Sequence, residues 1–564
     1  MLADTGGSGF SPDTTVFTGS GQSIPIYDPP FYFKYAYKSI RVAQSSGTAT
    51  FASSLTLPND LVVSSGTLSL NSHAIGVTGN FRTEGTGVLG MTSASDSLGV
   101  GSNATFSGGS TTGTLTAGVI SVVGNFAQSG TATSFAPATA HRVRLQPAGT
   151  TKGTVSFTSP TTSFFDSLVV EGGFGSRDTV QLLTDMTVNR GMTIQNSADI
   201  IGSTARARIT GGTLHAVLST TSPTMKALAT ELSVTPAIGS SPVLVSPDTM
   251  IYNGSITSLP TGSGIVYKSV RVNTTGSLTS PGGVTYNGNL IVSAGTYTAG
   301  GSSTDSVGGF LRTEGTGAFS MPVGAGAPTV AVRDSVVFGG GASTGLTTGT
   351  LRIYGSFVQR NTATAFQATS GHTTVFAGSG TQAVTFANPG ASGASTFGNL
   401  ALERSVAAVS QTTGIQLGNN VFVAGLLEDS TTNSAVLDTI AGNGFTVTAG
   451  GISTGSQFVI DNALLVLNNF TTFNTSGLTF RNMNPAATYL TMNRNTGGSN
   501  TIIGLNFATA VTSGVGKYFS LSTGTVTYSL TATSSLPAAP SMTGNYVRTG
   551  SPLPTVSWNG TVNP

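Results

Sequence analysis

The sequence predicts an all-β chain, a parallel β-solenoid built from two tandem repeats of about 230 residues. Three observations carry this prediction: a long internal echo, a finer recurrence of glycine-led motifs, and short runs in which apolar and polar residues alternate.

The echo is direct. Tyr37-Lys38-Ser39-Ile40-Arg41-Val42 returns as Tyr267-Lys268-Ser269-Val270-Arg271-Val272, and Phe81-Arg82-Thr83-Glu84-Gly85-Thr86-Gly87 as Leu311-Arg312-Thr313-Glu314-Gly315-Thr316-Gly317. Ser167-Leu168-Val169-Val170-Glu171 returns as Asn399-Leu400-Ala401-Leu402-Glu403, so from Tyr37 onward the offset of these segments stays between 230 and 232 residues. Spacing held that closely is spacing the structure fixes. The echo divides the chain into an N-terminal cap or docking segment (1–36), two solenoid repeats (37–245 and 246–454) and a divergent β-rich segment (455–564).

Within each repeat lies a shorter period. Gly79-Asn80-Phe81, Gly124-Asn125-Phe126, Gly288-Asn289-Leu290 and Gly398-Asn399-Leu400 recur at spacings that resolve into steps near 20 residues. That is the length of one solenoid rung. Gly and Asn suit turns with left-handed backbone angles, and the Phe or Leu that follows starts a strand with its side chain pointing inward. Alternation as in Thr67-Leu68-Ser69-Leu70 and Thr525-Val526-Thr527-Tyr528-Ser529-Leu530 fits such strands. Only Thr224-Met225-Lys226-Ala227-Leu228-Ala229-Thr230-Glu231-Leu232 invites a helix. The alternative architecture is a string of β-sandwiches, although their usual module of about 100 residues is shorter than the unit seen here.

Composition narrows the class. Charged residues make up 8% of the chain, against roughly 25% in an ordinary soluble domain, yet 38% are apolar. Disorder combines low hydrophobicity with high net charge, so this chain folds. Net charge is +2, and the Lys and Arg residues are scattered along the sequence without a basic stripe; nucleic acid is therefore not an expected partner. Few charges also mean little repulsion between copies. The absence of cysteine excludes disulfides and thiolate chemistry. No apolar run reaches 18 residues, so no transmembrane helix is expected. Met1-Leu2-Ala3-Asp4-Thr5-Gly6 has no signal-peptide pattern, and Leu553-Pro554-Thr555 is followed by Val556 where a cell-wall sorting motif would place Gly.

Residues with catalytic potential are sparse. The chain holds 21 acids, mostly isolated, and its one adjacent pair, Glu428-Asp429, reads as a turn. His141 and His372 occupy equivalent repeat positions, but neither has a neighbour at metal-ligand spacing, so both read as surface or turn histidines. No catalytic, cofactor-binding or metal site is expected. Sequons such as Asn103-Ala104-Thr105 are frequent enough to arise by chance. The candidate contacts for assembly are the echoed pairs Arg82–Glu84 and Arg312–Glu314 and the aromatic run holding Phe31, Tyr32, Phe33, Tyr35 and Tyr37. Residues two apart on a strand share a face, so each charged pair forms a surface ion pair or registers one copy against another. The aromatic run caps the first rungs, docks a neighbouring subunit or offers a glycan platform.

The Gly-Asn-Phe/Leu rungs and His372-Thr373-Thr374-Val375-Phe376-Ala377-Gly378-Ser379-Gly380-Thr381-Gln382 resemble repeats of bacterial secreted surface proteins, the right-handed β-helix adhesins and haemagglutinin-like exoproteins. Gly477-Leu478-Thr479-Phe480 and Gly504-Leu505-Asn506-Phe507 resemble rungs of pectate-lyase-like β-helices. The resemblance implies a secreted, elongated protein and carries over no functional residue. The expected function is an extracellular or cell-surface structural protein, not an enzyme, that self-associates into a fibre, sheath or surface layer. The alternatives are an adhesin that binds glycans through solenoid loops and, behind it, a polysaccharide-degrading β-helix.

Overall fold

In a computed structural model, the described residues are 13–25, 37–147, 152–172, 178–196, 198–210, 249–259, 267–324, 326–390, 394–403, 414–431, 438–454 and 458–468, with further short strands described by backbone alone. They contain β-strands and turns and no helix. The fold is a parallel β-solenoid, not a string of sandwiches. Among the described pairings only Tyr27–Asp28 with Phe33–Lys34 is antiparallel. The chain forms two compact units, Met1–Ile256 with Pro260–Ser269, and Thr257–Leu259 with Val270–Pro564.

In the first unit Ile40 pairs with Leu61, Leu61 with Phe81, Phe81 with Ala104 and Ala104 with Phe126, giving steps of 21, 20, 23 and 22 residues. These are the rungs. A second ladder pairs Thr48 with Thr67 and Thr67 with Val88. A third runs through Leu55–Leu57, Ala74–Val77, Ser97–Val100, Val119–Val122, Arg142–Leu145, Phe165–Glu171 and Met186–Gln195. The second unit repeats the first ladder as Val270, Leu290, Leu311, Val336 and Phe357. Its third ladder runs through Thr285–Tyr286, Thr304–Val307, Thr329–Val332, Thr350–Ile353, Thr373–Phe376 and Asn399–Leu402. The segment that invites a helix, Thr224–Leu232, is a strand paired in parallel with Asp199–Ile209. Tertiary pairing overrides local propensity there.

Inward rings of successive rungs touch across two neighbouring register columns, Phe81 and Phe126 lying in the column of Ala104 and Phe106 in that of Thr83 and Gln128. Phe81, Phe106 and Phe126 are fully buried, with centroids 5.4 and 5.6 Å apart in sequence. In the second unit Tyr297, Phe319, Phe338 and Phe357 follow one another at 5.7, 6.0 and 5.9 Å. Such ring pairs contribute about 0.5–1.5 kcal/mol each beyond the area they bury.

The Gly-Asn motif has a different cause from the one expected. Gly79, Asn80, Gly124 and Asn125 are absent from the left-handed region. Their role is stacking. Asn80 Nδ2 donates to Asp60 Oδ1 at 3.2 Å and Asn103 Nδ2 to Asn80 Oδ1 at 3.0 Å. Asn103 Oδ1 accepts from the Asn125 N–H at 3.0 Å, and Asn125 Oδ1 from the Thr154 N–H at 2.8 Å. This asparagine ladder satisfies the turn backbone from the rung next to it. It also engages Asn103 of the Asn103-Ala104-Thr105 sequon. The left-handed position belongs instead to the echoed Thr-Glu-Gly-Thr-Gly corner, where φ is +58° at Gly85 and +57° at Gly315. Two residues on, a Cβ at Gly87 or Gly317 would overlap the carbonyl oxygen of Val63 or Val292. The corner also buries Thr83 and Thr313, whose Oγ1 atoms accept from the N–H groups of Gly108 and Gly340, each at 3.1 Å.

The copies differ at one coordinated place. Leu57, Leu68 and Ile75 of the first unit correspond by register to Tyr286, Tyr297 and Asp305 of the second, all buried. The apolar trio becomes a hydrogen-bonded one. The Tyr286 and Tyr297 hydroxyls lie 2.8 Å apart, Tyr297 donates to Asp305 Oδ2 at 2.9 Å, and the Val284 N–H donates to Asp305 Oδ1 at 2.9 Å. Burial pushes the Asp305 carboxyl above its ordinary range, against the opposing effect of these donors.

Two outcomes are expected in thermal melts. Gly87→Ala lowers stability by about 1–3 kcal/mol through overpacking, whereas Gly99→Ala, with nothing within 4 Å of the added methyl, stays near wild type. Asp305→Ala orphans the Val284 amide and strips the Tyr297 hydroxyl of its acceptor, costing on the order of 2 kcal/mol, while the triple change Tyr286→Leu, Tyr297→Leu and Asp305→Ile recovers the hydroxyl part of that loss and not the amide part. Additive losses in the triple variant would show that the trio does not act as a unit.

Candidate functional site

The echoed charges come together with a third partner. Arg41, Val62 and Arg82 stand in one register column, and Glu84 receives the guanidinium groups of both Arg41 and Arg82, the latter at 3.1 Å. In the second unit Arg271 and Arg312 reach Glu314 at 2.6 and 2.7 Å, and the Ser293 hydroxyl donates to it at 3.0 Å. Partial burial pushes the Glu314 carboxyl up, but the hydrogen bonds from Arg271 and Ser293 and the two cationic charges hold it below its ordinary range. Both carboxylates are thus engaged inside the chain, each by arginines from two different rungs. Sequence spacing finds Arg82–Glu84 and Arg312–Glu314; the partners Arg41 and Arg271 emerge only from the register.

Of the aromatic run, Phe31, Tyr32 and Tyr35 lie outside the described residues, and Phe33 is described only as backbone of the strand Phe33–Lys34. Tyr37 faces inward. It is buried, packs edge-on against Phe17 at 6.1 Å and donates its hydroxyl to the Pro25 carbonyl at 2.8 Å.

His141 and His372 are not surface residues. Both are fully buried, set edge-on to Phe135 and Phe366 at 6.1 and 6.3 Å. His372 Nδ1 lies 3.0 Å from the Thr348 carbonyl, while both ring nitrogens of His141 lack a hydrogen-bond partner. Burial lowers each imidazole to about 4, with the Thr348 contact opposing it at His372. A histidine at an equivalent position in each unit is therefore part of the aromatic core. Glu428-Asp429 lies in the strand Val421–Asp429 rather than in a turn, and burial raises Glu428. Among the described residues no three His, Asp or Glu side chains are grouped to hold a metal.

The arginines scattered in sequence are not scattered in the fold. On the third ladder of the first unit, Arg142 stands beside Ser167 and Ser167 beside Gly191, while Arg144 stands beside Val169 and Val169 beside Thr193. Arg190 precedes Gly191. A groove of about 330 Å³ opens here, lined by Arg142, Arg144, Arg190, Ser167, Thr193 and Gln195. Arg144 reaches Glu171 at 3.6 Å, but its Nε makes no hydrogen bond; Glu171 is held by Gln146 and Asn196 at 3.0 and 2.9 Å. Arg190 is 4.0 Å from Asp166, a carboxylate that also accepts from the Ala140 N–H at 3.0 Å. Among the described residues Arg142 has no ion-pair partner. At the matching positions of the second unit, Thr373 and Val375 replace Arg142 and Arg144, and Glu428 replaces Thr193. There Arg352 is clamped by Glu403 at 2.8 and 2.5 Å, beside buried Val375 and Ala401.

Compared with protein-family models, with curated proteins and with solved structures, the chain has no significant match.

The histidines generate a pH prediction. Between about pH 6.5 and 4 they are neutral in the folded chain and protonated in the unfolded one. The unfolded state then binds more protons, so stability is complete above pH 6.5 and falls as pH drops toward 4, by on the order of 3 kcal/mol per histidine. Asp166 and Asp305, raised by burial, act in the opposite sense. Melting midpoints of wild type and of a His141→Leu/His372→Leu variant isolate the effect, and the variant should lose most of the decline across this window.

Proposed function

We propose that the chain is an extracellular structural protein of the cell-surface kind, whose copies associate into a fibre, sheath or layer. The observation that carries this is what the two units share. Both retain the inward aromatic rings, the buried histidine, the glycine corner and the arginine–glutamate cluster. All of these build and hold rungs. Outward positions are mostly Ser, Thr, Gly and Ala, and among the described residues the exposed large apolar side chains are the separated Val16, Leu183 and Val323. Association would then proceed through polar faces with little mutual charge repulsion, consistent with a net charge of +2. The resemblance to secreted β-helix surface proteins points the same way.

A glycan-binding role is the second reading, and the arginine groove favours it. Among the described residues no carboxylate lines that groove, which favours binding over the acid–base chemistry of a polysaccharide-degrading enzyme. Electron microscopy and light scattering of the purified chain test the structural role. Filaments, sheets or a mass that grows with concentration are expected; a monomer that persists at the highest concentrations overturns it.

A further inference from the structure

We propose that the groove on the third ladder of the first unit binds an acidic polysaccharide through the carboxylates of its sugar residues. This rests on the glycan-binding reading of that groove, names its ligand class, and does not depend on self-association.

The groove brings three guanidinium groups from two strands to one outward face in a chain that is only 8% charged. Their internal neutralisation is partial. Asp166 is almost wholly buried and meets Arg190 at the outer limit of an ion pair, and Glu171 meets Arg144 at 3.6 Å while shared with Gln146 and Asn196. Arg142 is exposed. Guanidinium N–H groups therefore remain to receive an anion, and their planar fork matches a carboxylate.

The rest of the lining selects among anions. The hydroxyls of Ser167 and Thr193 and the amide of Gln195 are neutral groups that both donate and accept, as sugar hydroxyls require. Among the described residues no aromatic ring lines the groove, and so none of them offers a nucleobase or an uncharged sugar face a stacking platform. The volume of about 330 Å³ lies in the range of small-ligand sites, and the open outer face lets a longer chain continue past it.

The comparison between units is an internal control. The frame of the groove is present in both, but two of its arginines and a hydroxyl become Thr373, Val375 and Glu428 in the second. A feature needed for rung stability would be retained with the corner and the histidine. The charge is specific to one unit, as a recognition surface would be.

The test is titration calorimetry of the full-length chain with oligogalacturonate, with dextran sulfate, neutral dextran and single-stranded DNA as comparison ligands. Oligogalacturonate should bind, and binding should weaken with added salt. Arg142→Gln and Arg190→Gln should each weaken it about tenfold, the loss of one charge-assisted contact. Thr193→Glu, which imports the charge of the second unit, should abolish it. Arg82→Gln, off the groove, should leave it unchanged. Circular dichroism melts matching wild type confirm that the outward substitutions leave the fold intact. Preference for dextran sulfate or DNA, equal binding of neutral dextran, no binding of oligogalacturonate, or an affinity indifferent to Arg142, Arg190 and Thr193 overturns the proposal.

Discussion

Everything in this molecule depends on the in-register hydrogen bonding of one rung to the next. A residue in a parallel ladder has two close companions, about 20 residues before and after it, and they present the same face. Columns follow without further instruction. Inward rings on neighbouring columns become an aromatic core, a turn column of asparagines becomes a hydrogen-bonded ladder, and arginines two rungs apart on one outward face line a groove. Register also sets the penalties. A glycine corner pressed against the carbonyl beneath it leaves no room for a methyl group, which is why Thr-Glu-Gly-Thr-Gly survives in both units.

The two units share their interior logic more than their exterior. Phe135 and Phe366 face equivalent histidines, and the Glu84 and Glu314 clusters are alike in geometry. The outward faces have drifted, with Arg142 and Arg144 opposed to Thr373 and Val375. Interior columns are coupled through contact from rung to rung, so a single change is felt by neighbours on both sides. Outward positions pay no such penalty and are free to acquire a ligand.

Much of the fold was legible in the sequence because a repeat reports periodicity, and periodicity is what a solenoid consists of. The rung length, the inward Phe81, Phe126, Leu290 and Leu400, and the Arg82–Glu84 pair could all be read from spacing. What could not be read were contacts across long loops. Arg41 meets Glu84 from two rungs away, and Arg142 shares a groove with Arg190, through pairings no linear window contains. The histidines misled for a related reason. A polar residue among small and hydroxylated neighbours resembles a turn until the Phe135 or Phe366 ring beside it is known. Strand Thr224–Leu232 misled through composition, its alanines and leucines favouring a helix that neighbouring strands forbid.

The buried trio at Tyr286, Tyr297 and Asp305 carries a record of order. The two tyrosine hydroxyls can satisfy each other, whereas the carboxylate among Leu57-like neighbours keeps the Val284 N–H but loses the Tyr297 hydroxyl. Whichever trio is ancestral, the less costly route between them keeps Tyr297 in place while Asp305 is present. Along that route Asp305 arrives after Tyr297 if the apolar set came first, and leaves before it if the polar set did. A duplicated chain that preserves both end states therefore also constrains the mutational path that connected them.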